Sequence, residues 1–254
     1  MNGTTNGTDR MLSILVVLAT ITTLIFNALA GSGRLNGVMT NEVSDKYPTV
    51  LTPAGYAFSI WGLIYFGLIA FTIYQLLPST LARLRSVRLL YIVSCVFNCA
   101  WLYAWHSYAI GICVILLFAL LATLALINIK LRTAESVRDA LFTKAPFGIY
   151  FGWVTAASIV NFVIYLRSID VQMSASAWNT LGCIFIAAAL VAAVIVRVKL
   201  RNFLYPLAVA WAATGIAIEQ QGNTAIILAC AICVILCLVL SISFVMDLKT
   251  TTHE

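Results

Sequence analysis

Charged side chains are scarce in this sequence. Only 9% of its 254 residues are Asp, Glu, Lys or Arg, whereas a soluble domain carries about 25%. Uncharged apolar runs recur along the whole length, and no long polar segment separates one run from the next. The composition therefore predicts an all-α, polytopic helical membrane protein and leaves no room for a separate soluble domain.

The apolar runs also lack groups that carry chemistry. The two histidines are His106, at the end of a run, and His253, in the tail. We find no pair of acids at helical spacing, no Ser/His/Asp set, no metal cluster and no phosphate-binding glycine loop, so we expect neither an enzyme nor a metal site. No lysine lies deep in a run, which excludes a retinal Schiff base of the usual kind. Glu219 lies one turn from the end of its run and can reach water, so ion-coupled transport is disfavoured.

Disulfide and redox chemistry have little support. All seven cysteines lie in apolar runs, and an odd number cannot pair fully. Cys230 and Cys233 form a C-x-x-C, but the aliphatic side chains around them offer no base or cation to activate a thiol. We interpret the cysteines as small packing residues. They are Cys95, Cys99, Cys113, Cys183, Cys230, Cys233 and Cys237.

Eight apolar runs approach the length of one bilayer crossing, about 20 residues. They are residues 11–30, 53–75, 89–107, 109–129, 146–166, 178–196, 203–220 and 225–246. The seventh run contains Pro206 and is predicted to be kinked or short, so seven helices are the alternative. The loop 31–52 is long enough to act as a lid, and the charged segment 130–144 is predicted to lie at the membrane surface.

The distribution of basic residues predicts the orientation. With eight helices both termini share one side, and that side holds 12 basic residues against three, Arg34, Lys46 and Arg167, on the other. The 12 are Arg10, Arg83, Arg85, Arg88, Lys130, Arg132, Arg138, Lys144, Arg197, Lys199, Arg201 and Lys249. We therefore expect cytoplasmic termini, in a bacterial cytoplasmic membrane or an organellar membrane. The N-x-T sequons at Asn2 and Asn6 argue weakly for the opposite orientation and are expected to be unmodified. Since the basic residues form no single patch, nucleic acid is not an expected partner.

Three predicted helices each carry a face of aromatic and amide side chains at helical spacing. These residues are Phe58, Trp61 and Tyr65 on the second helix, Asn98, Trp101 and Trp105 on the third, and Tyr150, Trp153 and Asn161 on the fifth. Flat apolar ligands bind such faces by stacking, and a few polar groups orient them. We therefore expect a pocket between the three helices, with the first loop as its lid.

The alternative is that these rings pack helices together or lie at the membrane interface. Asn98 and Asn161 are then expected to form a hydrogen bond between helices. For His106, a solvated position at a helix end is more typical than ligation of haem iron.

Two further patterns lie on the fifth predicted helix. Val163, Tyr165 and Arg167 fit a loose sterol-contact pattern, which anchoring at the membrane interface explains equally well. A ridge of small residues permits the close approach of another helix. The ridge comprises Gly148, Gly152 and Ala156. It favours a contact within the chain over a homodimer.

The order of these motifs resembles the TspO/MBR family, the tryptophan-rich sensory proteins that include the mitochondrial translocator protein. That family's second helix follows a proline and carries F-x-x-x-W-x-x-L-Y, to which residues 58–65 are similar in slightly shorter spacing. Its third helix carries L-N-x-x-W-S-x-x-F-F, similar to residues 97–106. Its fifth carries P-Y-x-x-W-x-x-F-A-x-x-L-N, similar to residues 146–161 with shifted spacing. The resemblance covers residues 11–167.

The chain departs from the family in two places. The K-P-x-W-x-P-P element of the family's first loop is reduced here to Pro53, and the last three predicted helices lie outside the five-helix pattern. The chain therefore resembles an extended, divergent member, with a five-helix bundle over residues 1–167 and three additional helices with a short tail over 168–254.

The resemblance implies a receptor or carrier in which a flat hydrophobic ligand, a porphyrin such as haem or a sterol-like molecule, is bound in the aromatic pocket. It implies a sensory or regulatory role, no obligatory cofactor, and partners limited to the lipid bilayer, the ligand and a possible second copy. The alternatives are a transporter or permease subunit for a small hydrophobic molecule and a membrane scaffold without a ligand.

Overall fold

Helices make up all of the regular structure in the part of the chain that the computed structural model describes, residues 7–133 and 136–243. The predicted polytopic, all-helical membrane protein is confirmed. The eight longest helices are labelled α1 to α8 in chain order. Their bounds are Gly7–Gly31, Ile60–Tyr74, Arg85–His106, Ile110–Lys130, Ala145–Ser168, Ala175–Lys199, Leu204–Glu219 and Thr224–Ile242. The predicted end of the eighth helix, Met246, and the sequons at Asn2 and Asn6 lie outside the described residues.

Helix α7 is shorter than its neighbours and runs antiparallel to them. Within residues 7–133 and 136–243, seven helical segments are long and apolar enough to cross a membrane, whereas α7 has 16 residues. Helices α6 and α8 run parallel, because Asn223 donates to Asn179 over 2.8 Å near their N-terminal ends and Arg197 donates to the Leu240 carbonyl over 3.1 Å near their C-terminal ends. Since α7 connects the end of α6 to the start of α8, it runs antiparallel to both.

Side-chain caps fix several helix starts. Ser174 accepts a hydrogen bond from the Ala177 amide at the start of α6, and Asn223 accepts one from the Ile226 amide at the start of α8. Such caps satisfy amides that have no partner within the helix. Pro206 lies in the first turn of α7, where a missing amide hydrogen removes no helical bond, so it does not interrupt the helix.

The second helix starts later than predicted. Residues 53–75 were expected to form one α-helix, but Gly55–Ser59 is a 3₁₀ helix and the α-helix begins at Ile60. The prediction was therefore wrong for the first turns of this run.

The late start of the second helix is caused by hydrogen bonds between α7 and residues 49–57. Gly215 accepts from the Ala54 amide over 3.0 Å, and the Trp211 indole donates to the Ala57 carbonyl over 2.9 Å. Gln220 donates to the carbonyl groups of Thr49 and Thr52. These bonds hold residues 49–57 against α7 and take up backbone groups that an α-helix would use internally.

The chain forms two compact units. The first contains residues 7–43 and Trp61–Phe147, and the second contains Ser44–Ile60 and residues 148–243. These bounds differ from the division after residue 167 expected from the family resemblance, and that division stays a prediction. Helix α5 begins in the first unit and continues in the second.

Aromatic side chains pack edge to face in the core of the first unit. The Phe71 ring meets the rings of Tyr91 and Phe147 edge to face, with centroids 5.1 and 4.8 Å apart. Beside this cluster, Gly67 lets α2 approach Pro146, because a Cβ on Gly67 would lie 2.9 Å from the proline Cβ. Edge-to-face contacts of this kind add to the free energy of burial.

The glycine ridge of α5 packs within the second unit. A Cβ on Gly152 would lie 2.5 Å from the Tyr205 carbonyl oxygen and 2.9 Å from the Ala208 Cβ, and a Cβ on Gly148 would overlap the Asn202 amide. The predicted contact within the chain is thus confirmed, and its partner is the start of α7. The homodimer stays a prediction.

Candidate functional site

Four aromatic rings stack in succession in the first unit. Tyr65 stacks on Trp61 with ring centroids 5.6 Å apart, Trp61 on Trp101 at 6.1 Å, and Trp101 on Trp105 at 5.8 Å. The angles between successive ring planes are 18°, 27° and 29°. We call these four residues, two from α2 and two from α3, the aromatic ladder. It presents π surface from two helices in nearly the same orientation.

A polar group closes the Tyr65 end of the ladder. The Tyr65 hydroxyl donates to the side-chain oxygen of Asn27, and Asn27 donates to the side-chain oxygen of Asn98 over 2.9 Å. Asn98 is only 1% exposed, and its side-chain nitrogen has no acceptor within the described part of the chain. The bond from Asn27 fixes the Asn98 amide with its oxygen engaged and its two N–H groups free.

The first half of the long loop covers the other end of the ladder. The Trp105 indole donates to the Thr40 carbonyl over 2.9 Å, at the start of the short helix Thr40–Asp45. Asn36 donates to the His106 carbonyl over 3.2 Å. The loop is therefore docked on the ladder although it lacks the tryptophan and second proline of the family element. Closure of this loop over a ligand stays a prediction.

His106 is buried, and the expectation of a solvated helix-end histidine was wrong. Its side chain is 1% exposed, and Nδ1 lies 2.8 Å from the Leu102 carbonyl oxygen. Because a carbonyl group only accepts, Nδ1 carries a proton and donates it to Leu102. In residues 7–133 and 136–243, the Nε2 atom has no hydrogen-bond partner.

Four predicted site residues lie in the second unit. Phe58 meets Trp153 edge to face with centroids 6.0 Å apart, Tyr150 is buried, and Asn161 donates to the Ala157 carbonyl over 3.0 Å. Phe58 belongs to the 3₁₀ segment, so the predicted single helical face shared by Phe58, Trp61 and Tyr65 is wrong for Phe58.

The structure thus brings together five of the nine predicted residues. They are Trp61, Tyr65, Asn98, Trp101 and Trp105. The single pocket formed by all nine residues, and the bond between Asn98 and Asn161, stay predictions.

Sequence reasoning missed a line of polar residues on α1. Asp9, Ser13, Thr20, Thr23 and Asn27 follow the spacing of a helix face, and all but the half-buried Asn27 are buried. Their spacing in steps of three, four and seven residues was the signal that would have found them.

These side chains bond to α2 and α3. Ser13 donates to the Gln75 side-chain oxygen over 3.0 Å, and the Thr20 hydroxyl lies 2.7 Å from those of both Thr72 and Tyr91. A hydroxyl group in an apolar surrounding requires such partners, so the line holds α1 against the helices that carry the ladder.

Arg88 also departs from the prediction. The predicted third run begins after it, at residue 89, but Arg88 lies in α3 and is 0% exposed. Its guanidinium donates to the side-chain oxygen and the carbonyl of Gln75, at 2.6 and 2.9 Å, and to the carbonyl groups of Thr80 and Leu81. The charge therefore satisfies carbonyl groups beyond the last turn of α2, where a helix leaves acceptors unpaired.

The comparison with protein families decides the relationship. A family model described as TSPO-like protein matches residues 13–244. The chain belongs to the TSPO-like family. The resemblance to the TspO/MBR family is confirmed, and the match continues beyond residue 167 through α6, α7 and α8. Comparison with curated proteins and with solved structures gave no match.

The residues of the sterol-like pattern in this TSPO-like protein lie in different environments. Val163 is fully buried in the second unit, whereas Arg167 is exposed and its guanidinium carbon lies 4.4 Å from the centre of the Trp178 ring. This cation–π contact gives Arg167 a structural role at the end of α5.

The cysteines and acids form no metal centre in the described ranges of this TSPO-like protein, since no group of three His, Cys, Asp or Glu is placed to hold an ion. All seven cysteines are free thiols, five of them buried.

Proposed function

We propose that this TSPO-like protein is a receptor or carrier for a flat hydrophobic molecule of the tetrapyrrole class, and that it acts without catalysing a reaction. The observation that carries the proposal is the aromatic ladder ending beside an amide with free N–H groups. A tetrapyrrole matches both features, because it has an extended π surface and carboxylate groups at its edge.

The ladder supplies the apolar part of the recognition. Trp61 and Tyr65 are half-buried, so part of each ring is not covered by protein. Trp101 and Trp105 are buried behind them and hold the ring planes in a fixed orientation. A preformed set of rings loses little conformational entropy on binding, which favours a rigid planar ligand over a flexible one.

Asn98 supplies the polar part. A buried amide without partners is unfavourable in an apolar surrounding. Since Asn27 already occupies its oxygen, Asn98 offers only N–H donors, and the partner that completes it is a carbonyl or carboxylate oxygen. A porphyrin propionate meets this requirement.

The chemistry of these groups supports binding instead of catalysis. Indole, phenol and amide side chains stack and donate hydrogen bonds, but at neutral pH they are poor general acids and bases. A sensory or regulatory signal would therefore arise from a conformational change that the bound ligand causes in the loop docked on Trp105.

Titration with protoporphyrin tests this proposal. The protein is placed in lipid nanodiscs, and the shift in porphyrin absorbance gives the dissociation constant. Trp61→Leu removes the central stacking ring, which contributes about 0.5–1.5 kcal/mol beyond its area, so we expect binding about three- to ten-fold weaker. Asn98→Leu removes the donors to a charged group, worth about 1.5–3 kcal/mol, so binding weakens about ten- to a hundred-fold.

Two matched variants serve as controls. Trp178→Phe changes a tryptophan outside the ladder. Asn128→Leu changes a buried amide that donates to the carbonyl groups of Leu124 and Phe147 and so has a structural use. Both should bind protoporphyrin as the wild type does. Equal binding by wild type, Trp61→Leu and Asn98→Leu would refute the site.

A further inference from the structure

A small cavity lies inside the second unit. It measures about 30 Å³ and is lined by residues of α5, α6, α7 and α8, together with Leu51. None of the nine residues predicted for the tetrapyrrole site lines it. The cavity is too small for a ring system of four pyrroles, since its volume holds only about two water-sized groups.

The cavity is at the middle of every helix that lines it. Its residues on α5 are 156–160, in a helix that runs from Ala145 to Ser168, and those on α6 are 185–189, in a helix from Ala175 to Lys199. Cys233 lies at the centre of α8, Thr224–Ile242. In a spanning bundle the middle of the helices is the middle of the bilayer, where the surrounding molecules are the ends of acyl chains.

The lining is entirely apolar. It consists of Ala, Val, Ile, Leu and Phe side chains and one thiol, and no polar surface faces the space. A water molecule needs polar partners, so a cavity of this kind stays dry or holds an apolar group. Whatever part of a molecule enters must itself be hydrocarbon.

Close packing at both ends of α7 contrasts with the gap between them. Gly152 meets the Tyr205 carbonyl near the start of α7, and a Cβ on Gly215 would lie 2.7 Å from the Ala57 Cβ near its end. Between these contacts α7 presents Ala212 and Ala213, whose short side chains leave the space open. The void is therefore local in an otherwise tightly packed unit, and protein interiors tolerate few such voids.

One side of the cavity leads outward between α5 and α6. Ile159, Val160 and Phe185 are half-buried, whereas the lining residues Ile186, Val209 and Cys233 are buried. The Phe185 ring meets the Phe162 ring edge to face at 5.9 Å, which places an α5 to α6 contact beside this opening. An occupant reaches the cavity from the side of the half-buried residues Ile159, Val160 and Phe185.

We propose that this cavity binds the end of an aliphatic chain, a fatty acyl tail inserted between α5 and α6. The methyl end occupies the space beside Ala189 and Ala213, and the remainder of the chain lies along Phe185. The polar end of the molecule stays outside the cavity, so the site recognises hydrocarbon and makes no demand on the headgroup. It is independent of the tetrapyrrole site.

Photo-crosslinking tests the proposal on the full chain in nanodiscs. Two palmitic acid probes are used, one with a diazirine near the methyl end and one with it near the carboxyl group. After irradiation and digestion, adducts are mapped by mass spectrometry. The methyl-end probe should label residues 156–160 and 185–189 at least five-fold more than the carboxyl-end probe, and excess palmitate should compete.

A phosphatidylcholine that carries the methyl-end diazirine separates the two possible sources of the chain. If the site takes lipid tails, this probe labels the same residues; if it takes only free fatty acid, labelling is confined to the palmitic acid probe. Either outcome supports binding of an aliphatic chain in the cavity, provided that labelling is lost when the cavity is filled by substitution.

Adjacent alanines give a matched pair of variants. Ala189 lines the cavity and is buried, whereas Ala188 is exposed on the same helix. Ala189→Phe should fill the space and reduce labelling at least five-fold, while Ala188→Phe should leave it unchanged. If Ala189→Phe fails to fold by circular dichroism, Ala213→Leu fills the same space from α7.

Equal labelling by the two palmitic acid probes would overturn the proposal. So would labelling unaffected by filling the cavity in a folded variant. Protoporphyrin binding should be the same in Ala189→Phe and the wild type, so failure of either proposal can be recognised without the other.

Discussion

Replacing Arg88 by leucine tests whether a buried charge holds α2 to α3. The guanidinium is fully buried. It donates to the side-chain oxygen and the backbone carbonyl of Gln75, and to the carbonyl groups of Thr80 and Leu81. Leucine fills part of the same volume but leaves these acceptors unpaired in an apolar surrounding. Each lost hydrogen bond to a charged group is worth about 1.5–3 kcal/mol.

The total cost of the lost hydrogen bonds is partly offset, because leucine does not carry the desolvation penalty of a buried guanidinium. Removing one partner from a buried charged network costs about 3–5 kcal/mol in measured cases, and we expect Arg88→Leu to lower the free energy of unfolding by that amount. Arg88→Lys keeps the charge but cannot reach all of the carbonyl groups with one ammonium group, so it should lose an intermediate amount.

The free energy of unfolding is measured by circular dichroism during titration of mixed micelles with sodium dodecyl sulfate. Arg138→Leu, at an exposed position near α5, is the control and should change the free energy by no more than about 0.5 kcal/mol. If Arg88→Leu loses less than about 1 kcal/mol relative to this control, the bonds seen around Arg88 do not stabilise the first unit.

Three further substitutions probe the packing with the same assay. Gly152→Leu should lose about 1–3 kcal/mol because its Cβ would overlap the Tyr205 carbonyl, whereas Gly62→Leu, with open space around its Cβ, should lose none; equal losses would contradict the ridge contact. Trp211→Phe should lose about 1 kcal/mol with its 2.9 Å bond to the Ala57 carbonyl, and no loss would contradict the docking of that segment. Asp9→Asn should lose about 1–2 kcal/mol because the 2.6 Å bonds from the Arg85 guanidinium lose their charged acceptor, and an unchanged value would show that the pair is not stabilising.

The sequence predicted the helices well because long apolar runs leave the backbone few alternatives. In lipid each amide and carbonyl must find a partner, and the helix supplies one within the run. The predicted runs 89–107 and 109–129 leave only Tyr108 between them, and in the structure that residue adopts a left-handed conformation with φ of 56°.

The failures share one physical cause. The segment Gly55–Ser59 is apolar and would suit an α-helix. It forms a 3₁₀ helix instead, because hydrogen bonds to Trp211 and Gly215, more than 150 residues later in the chain, hold it there. Likewise His106 and Arg88 have the sequence context of solvated end residues, and their burial depends on the loop and helices that pack around them. No local pattern contains that information.

The candidate site was predictable in part. Stacking of Trp61 with Tyr65 and of Trp101 with Trp105 follows from helical spacing. The contact between the two pairs does not, because it depends on how α2 and α3 approach each other. Asn27 was overlooked because it lies on α1, which carries no aromatic face.

The central claim is that the aromatic ladder binds a flat tetrapyrrole with Asn98 as its polar contact. The most direct measurement is the dissociation constant of protoporphyrin for wild type, Trp61→Leu and Asn128→Leu protein in nanodiscs, determined from porphyrin absorbance. The account predicts that Trp61→Leu binds about three- to ten-fold more weakly, while Asn128→Leu binds as tightly as the wild type. The same dissociation constant for all three proteins, or no saturable binding by the wild type, would contradict it.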